Sequence, residues 1–137
     1  MVRNIIGVIV GIVVASIVNM ALVAIGHANI PLPPGADVSS MERLSDTIHL
    51  FGPQNYIFVF LAHALGPLAG TFVTMLIAVS HKMKTAVGMA VFFLLGGIAA
   101  SVMIPAPLWF KAVDLIFAYV PMTLLGAKLG GAGTERR

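Results

Sequence analysis

Four predominantly apolar stretches, residues 5–25, 56–80, 85–104 and 108–129, decide what this chain can become. At about 1.5 Å of rise per residue, a helix of ~20 residues crosses the roughly 30 Å hydrocarbon core of a bilayer, and each stretch is that long. Lipid offers no hydrogen bonds to the backbone, so a spanning segment must satisfy its own peptide groups, which a helix does. The chain therefore reads as an all-α membrane protein, a four-helix transmembrane bundle over residues 1–129. Composition agrees: 59% of the 137 residues are apolar and 9% charged, against roughly 25% charged in a soluble domain. A cleaved signal peptide competes for the first stretch, because Arg3 supplies a positive start and Gly26-His27-Ala28 imitates a cleavage site. The run exceeds the ~7–15 apolar residues of such leaders, which favours a span.

Direction follows from positive charge, since short loops rich in Lys and Arg stay in the cytoplasm. Four spans put Arg3, Lys82, Lys84, Lys128, Arg136 and Arg137 on one side and only Arg43 and Lys111 on the other. The expectation is cytoplasmic N- and C-termini, a cytoplasmic 81–84 turn and an outer loop over 26–55. Tyr56, Trp109 and Phe110 sit at span mouths on the outer side, where aromatic belts form. The net charge of +3 thus belongs to membrane anchors, and no nucleic-acid partner is expected. Without cysteine there is no disulfide and no thiolate metal site. The Gly-rich tail 130–137, ending in two arginines, reads as disordered.

Within the outer loop, Ile30-Pro31-Leu32-Pro33-Pro34-Gly35 is extended, because proline fixes φ and restricts its predecessor. Ser39 to Glu42 reads as a capping box opening a short amphipathic helix at about 40–51, with Met41, Leu44, Ile48 and Phe51 on one side. Glu42, Asp46 and His49 take the other side, and Gly52-Pro53 stops the helix. Such a helix suits the outer interface, as a lid tethering the first span to the second.

Membrane helices associate through close packing, so small residues carry information. Gly7, Gly11, Ala15 and Asn19 repeat every four residues in the first span, and Ala62, Gly66, Gly70, Thr74 and Ala78 do so in the second. In the third, Gly96 pairs with Ala100 and Gly97 with Ser101. These are expected helix-packing faces, within the bundle, in a homo-oligomer or against other membrane proteins. Pro67 and Pro121 lie inside spans and free the carbonyls of His63 and Phe117, predicting kinks.

Measured from the outer span ends, His63 lies about 11 Å deep, Asn19 about 10 Å and Asp114 about 9 Å, with Ser101 near the same level. A carboxylate inside a span costs about 2.5–3.5 kcal/mol on insertion scales and needs a partner. One reading is a structural lock, with Lys111 paired to Asp114 at i, i+3 and with His63 and Asn19 bonded across helices. The other is a polar site in which His63 and Asp114 share a proton or bind a small cation or polar substrate from outside. His27, His49 and His63 have no ligand-like spacing, so no metal is expected, and no second deep histidine could serve a haem. No cofactor is expected.

The stretch Leu61-Ala62-His63-Ala64-Leu65-Gly66, the Leu94-Leu95-Gly96-Gly97 segment, and Pro107-Leu108-Trp109-Phe110 followed by Asp114-Leu115 and Ala118-Tyr119-Val120-Pro121-Met122 resemble a group of uncharacterised small bacterial four-span membrane proteins. The resemblance covers roughly the last three spans and implies a multi-pass protein of the bacterial inner membrane, with no activity attached. Small multidrug transporters are similar in size, but the glutamate their first span carries is absent here. The fluoride channels are also compact and four-span, and their dual topology conflicts with the charge asymmetry. The expected function is non-enzymatic: an accessory, scaffold or assembly subunit that packs through glycine-rich faces, or alternatively a small transporter or channel with an outward-facing site around His63 and Asp114.

Overall fold

The computed structural model describes residues 1–133 and is helical throughout, with elements α1 (Val2–Asn29), α2 (Met41–Thr47), α3 (Ile57–Ile77), α4 (Lys82–Met103), α5 (Leu108–Phe117) and α6 (Val120–Leu129). Short 3-10 turns at Ile48–Leu50 and Pro53–Tyr56 join α2 to α3. The segments Val2–Asn29, Pro53–Ile77, Lys82–Met103 and Leu108–Leu129 are long and apolar enough to cross a membrane, which makes this a multi-pass membrane protein. The second span is shorter than expected at its end: Ala78 turns to extended backbone, and the Asn4 side chain donates to the Ser80 carbonyl at 2.6 Å while accepting from Val79 N–H at 3.2 Å. The start of α1 is thereby fixed beside the 78–81 turn. The end of α6 lies there too, where Met75, Ala86, Ala127 and Ala132 form a buried cluster. Of the tail expected to be disordered, residues 130–133 form a turn with Ala132 buried, and 134–137 lie outside the described residues.

Helix α3 is the axis of the bundle, packing against α1, α4 and α6. Its glycines make this possible. Gly7, Gly11 and Ala15 of α1 lie against Gly66, Gly70 and Thr74 of α3, so the two expected stripes are partners of one another. The Thr74 hydroxyl lies 3.0 Å from the Gly7 carbonyl across the seam and 2.9 Å from the Gly70 carbonyl in its own turn. Contacts this close bring dispersion and polar attraction that lipid tails cannot match. A second seam joins α3 to α6, where Gly126 sits on the Leu68 backbone and Gly130 on Met75 and the Phe72 carbonyl. The third-span stripe divides: Gly97 is buried under the Tyr119 ring, Ala100 is half-buried, and Gly96 faces open space.

The prolines also differ. Helix α3 runs unbroken through buried Pro67. The fourth span breaks outright between α5 and α6, where a kink at Pro121 was expected. Pro121 occupies the first turn of α6, where no N–H is needed, and Tyr119 caps that helix.

The loop helix starts differently from the expected box. Ser40, not Ser39, is the N-cap, with its hydroxyl accepting from Arg43 N–H at 3.2 Å. Asp37 ties the segment together: its carboxylate accepts from Ser39 N–H at 2.9 Å and from the Arg43 guanidinium at 2.8 Å, and its N–H donates to the Thr47 hydroxyl at 3.0 Å. Leu44, Ile48 and Phe51 turn toward the bundle, while Met41, Glu42, Asp46 and His49 are exposed.

Two predictions follow from this packing. A Cβ on Gly70 would meet the Gly11 carbonyl and come within 2.8 Å of Ala15 Cβ, whereas one on Gly96 would meet nothing. Gly70→Val should therefore destabilise the protein in detergent by about 1–3 kcal/mol, the usual cost of overpacking, and Gly96→Ala should leave the thermal midpoint unchanged. Hydrogen bonds from Ser39, then from Arg43, lower the Asp37 carboxyl from its ordinary value to about 2. A depressed carboxyl keeps its tie above the ordinary value and loses it as pH falls through the folded one. Carboxyl NMR should place the Asp37 midpoint near about 2, and Arg43→Gln should move it upward.

Candidate functional site

At the loop end of the bundle, His63 projects from α3 one turn before Pro67, and Asp114 from the last turns of α5. His63 Nδ1 lies 3.0 and 2.9 Å from the two carboxylate oxygens of Asp114. The Tyr119 hydroxyl donates to Asp114 Oδ2 at 3.0 Å. On an unbroken helix, residues five apart lie about 140° apart around the axis, and these two side chains would diverge. The break at 118–119 is what lets Tyr119 reach back. Its ring also lies beside the imidazole, with centroids 5.6 Å apart.

Asp114 is 6% exposed, so its carboxylate depends on these partners instead of water. The expected Lys111–Asp114 pair is not formed: among the described residues Asp114 pairs only with His63. An ionised Asp114 fixes the histidine proton on Nδ1 and leaves Nε2, which has no hydrogen-bond partner among the described residues, as the group that can accept or donate a proton.

His63 and Asp114 line one cavity of about 290 Å³, roofed by Leu44, Ile48 and Phe51 of the loop. That volume is at the lower end of ligand pockets, and the lining is mostly apolar with a few convergent polar groups, the usual composition of a binding site. Ser101, Lys111 and His27 also border it. The Ser101 hydroxyl donates to the Ile98 carbonyl at 2.8 Å and does not reach His63, so His63 and Asp114 are not extended into a nucleophilic triad. Asn19 stands apart. It borders a wider groove of about 600 Å³ between α1 and α4, which shares His63, Gly97 and Ala100 with the cavity. Of the four candidate polar residues, the structure brings His63 and Asp114 into contact, sets Ser101 on the same cavity wall, and leaves Asn19 in the neighbouring groove.

Two tyrosines complete the arrangement, and neither was singled out as a site residue in the sequence. The i, i+5 spacing hid Tyr119 from Asp114. Tyr56 was legible only as an interface aromatic; it is 4% exposed, borders the cavity, packs on Phe110 at 4.5 Å and has a buried hydroxyl with no hydrogen-bond partner. Among the described residues, no three His, Asp or Glu side chains are grouped to hold a metal ion.

No protein-family model, curated protein or solved structure matches this chain.

Removing one member of a buried pair strands the other, at a cost of about 3–5 kcal/mol, whereas removing both leaves no uncompensated charge and strands only the Tyr119 hydroxyl, as the Asp114 loss alone already does. Unfolding of His63→Leu, Asp114→Leu and the double variant in one detergent should show the double variant to be more stable than the two single losses sum to. Strict additivity would mean that the pair does not act as a unit.

Proposed function

We propose that this is a small transporter of the bacterial inner membrane, with its termini and the 81–84 turn in the cytoplasm and a substrate site opening outward around His63 and Asp114. One observation carries the reading: the two polar residues that most need partners line a single cavity beneath the outer loop, with imidazole Nε2 left unbonded among the described residues. A structural lock needs no such space. The asymmetry of the bundle supports it as well, because the end bearing the termini is filled by Met75, Ala86, Ala127 and Ala132 while the loop end is hollow. The site contains a proton acceptor held by a carboxylate and no adjacent nucleophile, which suits reversible proton binding better than covalent chemistry. The loop helix lies at the outer interface and roofs the cavity with its apolar side.

The scaffold reading rests on a different surface. Gly88 and Gly96 present open space on α4 on either side of exposed Phe92, where another membrane helix could seat. The two readings separate experimentally. In proteoliposomes, the transporter shows solute flux above that of protein-free vesicles, and His63→Gln removes the pH dependence of that flux while the protein remains folded. Vesicles that stay impermeable under every proton and solute gradient, together with a stoichiometric partner co-purified from the native membrane, would establish the scaffold instead.

A further inference from the structure

We infer that the cavity beneath the loop takes a small apolar acid, a molecule with one carboxylate head and a compact hydrocarbon or aromatic body, and takes it together with a proton. This rests on the proposed substrate site and gives it a chemical class.

Among the described residues Asp114 is the one acidic side chain bordering the cavity, and it already accepts from His63 Nδ1 and the Tyr119 hydroxyl. Of the other side chains bordering the space, Lys111 is a donor, and His63 Nε2 accepts while the imidazole is neutral and donates once it is protonated. Lys111 makes no ion pair among the described residues, although Asp114 is one turn away. A carboxylate head answers Lys111 and the protonated imidazole; an ammonium head would be repelled by Lys111 and would find the Asp114 carboxylate already engaged. The body of the ligand is set by Leu44, Ile48, Val59, Ile104 and Phe110, an apolar enclosure that would strip water from anything entering.

Charge then couples the acid to a proton. The ionisable groups bordering the cavity are His27 of α1, Tyr56 and His63 before and within α3, and Lys111 and Asp114 of α5; the walls from α4 and the loop helix contribute none. With His63 neutral, Lys111 and Asp114 cancel, and a bound carboxylate leaves one uncompensated negative charge in a low-dielectric space. With His63 doubly protonated, the same carboxylate brings the site to neutrality. Since burying an unpaired charge is far costlier than burying a paired one, the anion and the proton enter together. The loaded site is electrically neutral, equivalent to carrying the undissociated acid.

The test uses the full chain in lipid nanodiscs and three probes of one shape: benzoate, benzyl alcohol and benzylamine. Titration calorimetry should show benzoate bound at least about tenfold more tightly than either of the others, the scale set by a charge-assisted hydrogen bond. Repeated in two buffers of different ionisation heat, it should show uptake of about one proton per benzoate, and therefore weaker binding at pH 8 than at pH 6. Lys111→Gln should weaken benzoate about tenfold. His63→Gln should abolish proton uptake and His27→Gln should leave it intact, with thermal midpoints recorded to show that each variant is folded. Preference for benzylamine, or benzoate binding without proton uptake, overturns the proposal. Benzoate that binds as described but crosses proteoliposomes no faster than through protein-free vesicles upholds the ligand class and refutes transport. Flux of benzylamine without flux of benzoate does the reverse.

Discussion

The bundle depends on how closely α3 approaches its neighbours. In a bilayer the hydrophobic effect does not draw helices together, because lipid tails solvate leucine as well as another leucine does. Contact must be short-range, and short-range contact between helices needs surfaces without side chains. Helix α3 supplies them on two sides: Gly66 and Gly70 toward α1, and the backbone around Leu68 and Phe72 toward Gly126 and Gly130. Thr74 adds a hydroxyl aimed at the Gly7 carbonyl, a polar tie placed where water and lipid are both excluded. With α3 held from both sides, the position of His63 in the membrane is set by backbone packing instead of by its own hydrogen bonds.

Asp114 depends on that arrangement. A carboxylate 6% exposed has to be met from fixed positions, and two elements meet it: the imidazole from rigid α3 and the Tyr119 hydroxyl from the break that follows α5. The break has a cost, since helix continuity is what satisfies the backbone in lipid. The caps limit it: Ala118 N–H donates to the Asp114 carbonyl at 3.0 Å and Thr123 N–H to the Tyr119 carbonyl at 2.9 Å, so each half-helix closes on itself. Pro121 then sits where its missing donor is not missed. Asp114 thus takes part on both sides of the junction, with its carbonyl ending α5 and its carboxylate receiving the side chain that starts α6.

The architecture was legible because it is written in run length and four-residue spacing. Gly7, Gly11 and Ala15 match Gly66, Gly70 and Thr74 in period, and period is what a single sequence displays. Pairing one stripe with another was not legible, since every stripe offers the same smooth surface; Gly96 has the spacing of a packing residue and faces open space. Gly126 and Gly130 have the same four-residue period but straddle the expected boundary between the fourth span, ending at 129, and the Gly-rich tail. At the site, the depth of His63 and Asp114 along their helices was readable from rise per residue, but their contact is a matter of rotation about two axes. The expected Lys111 partner was the local choice at i, i+3, and the tertiary partner displaced it because His63 reaches the carboxylate from within the bundle.

The two ends of the molecule differ in a way that bears on how a bound solute could move. At the end away from the loop, α3, α4 and α6 close around the buried cluster of Met75, Ala86 and Ala127. Toward the loop, α1, α3, α4 and α5 surround the cavity, and His63, Gly97 and Ala100 form a wall common to that cavity and the groove between α1 and α4. Helix α1 is held mainly by its narrow glycine face on α3 and touches α4 little. The α1–α3 seam itself is held in register, with Thr74 seated on Gly11 and bonded to the Gly7 carbonyl, Phe58 seated on Gly26, and Asn4 tied to the 78–81 turn. The groove on one side of His63 is thus bounded by α1 and α4, whereas the His63–Asp114–Tyr119 cluster is built on α3 and the broken fourth span.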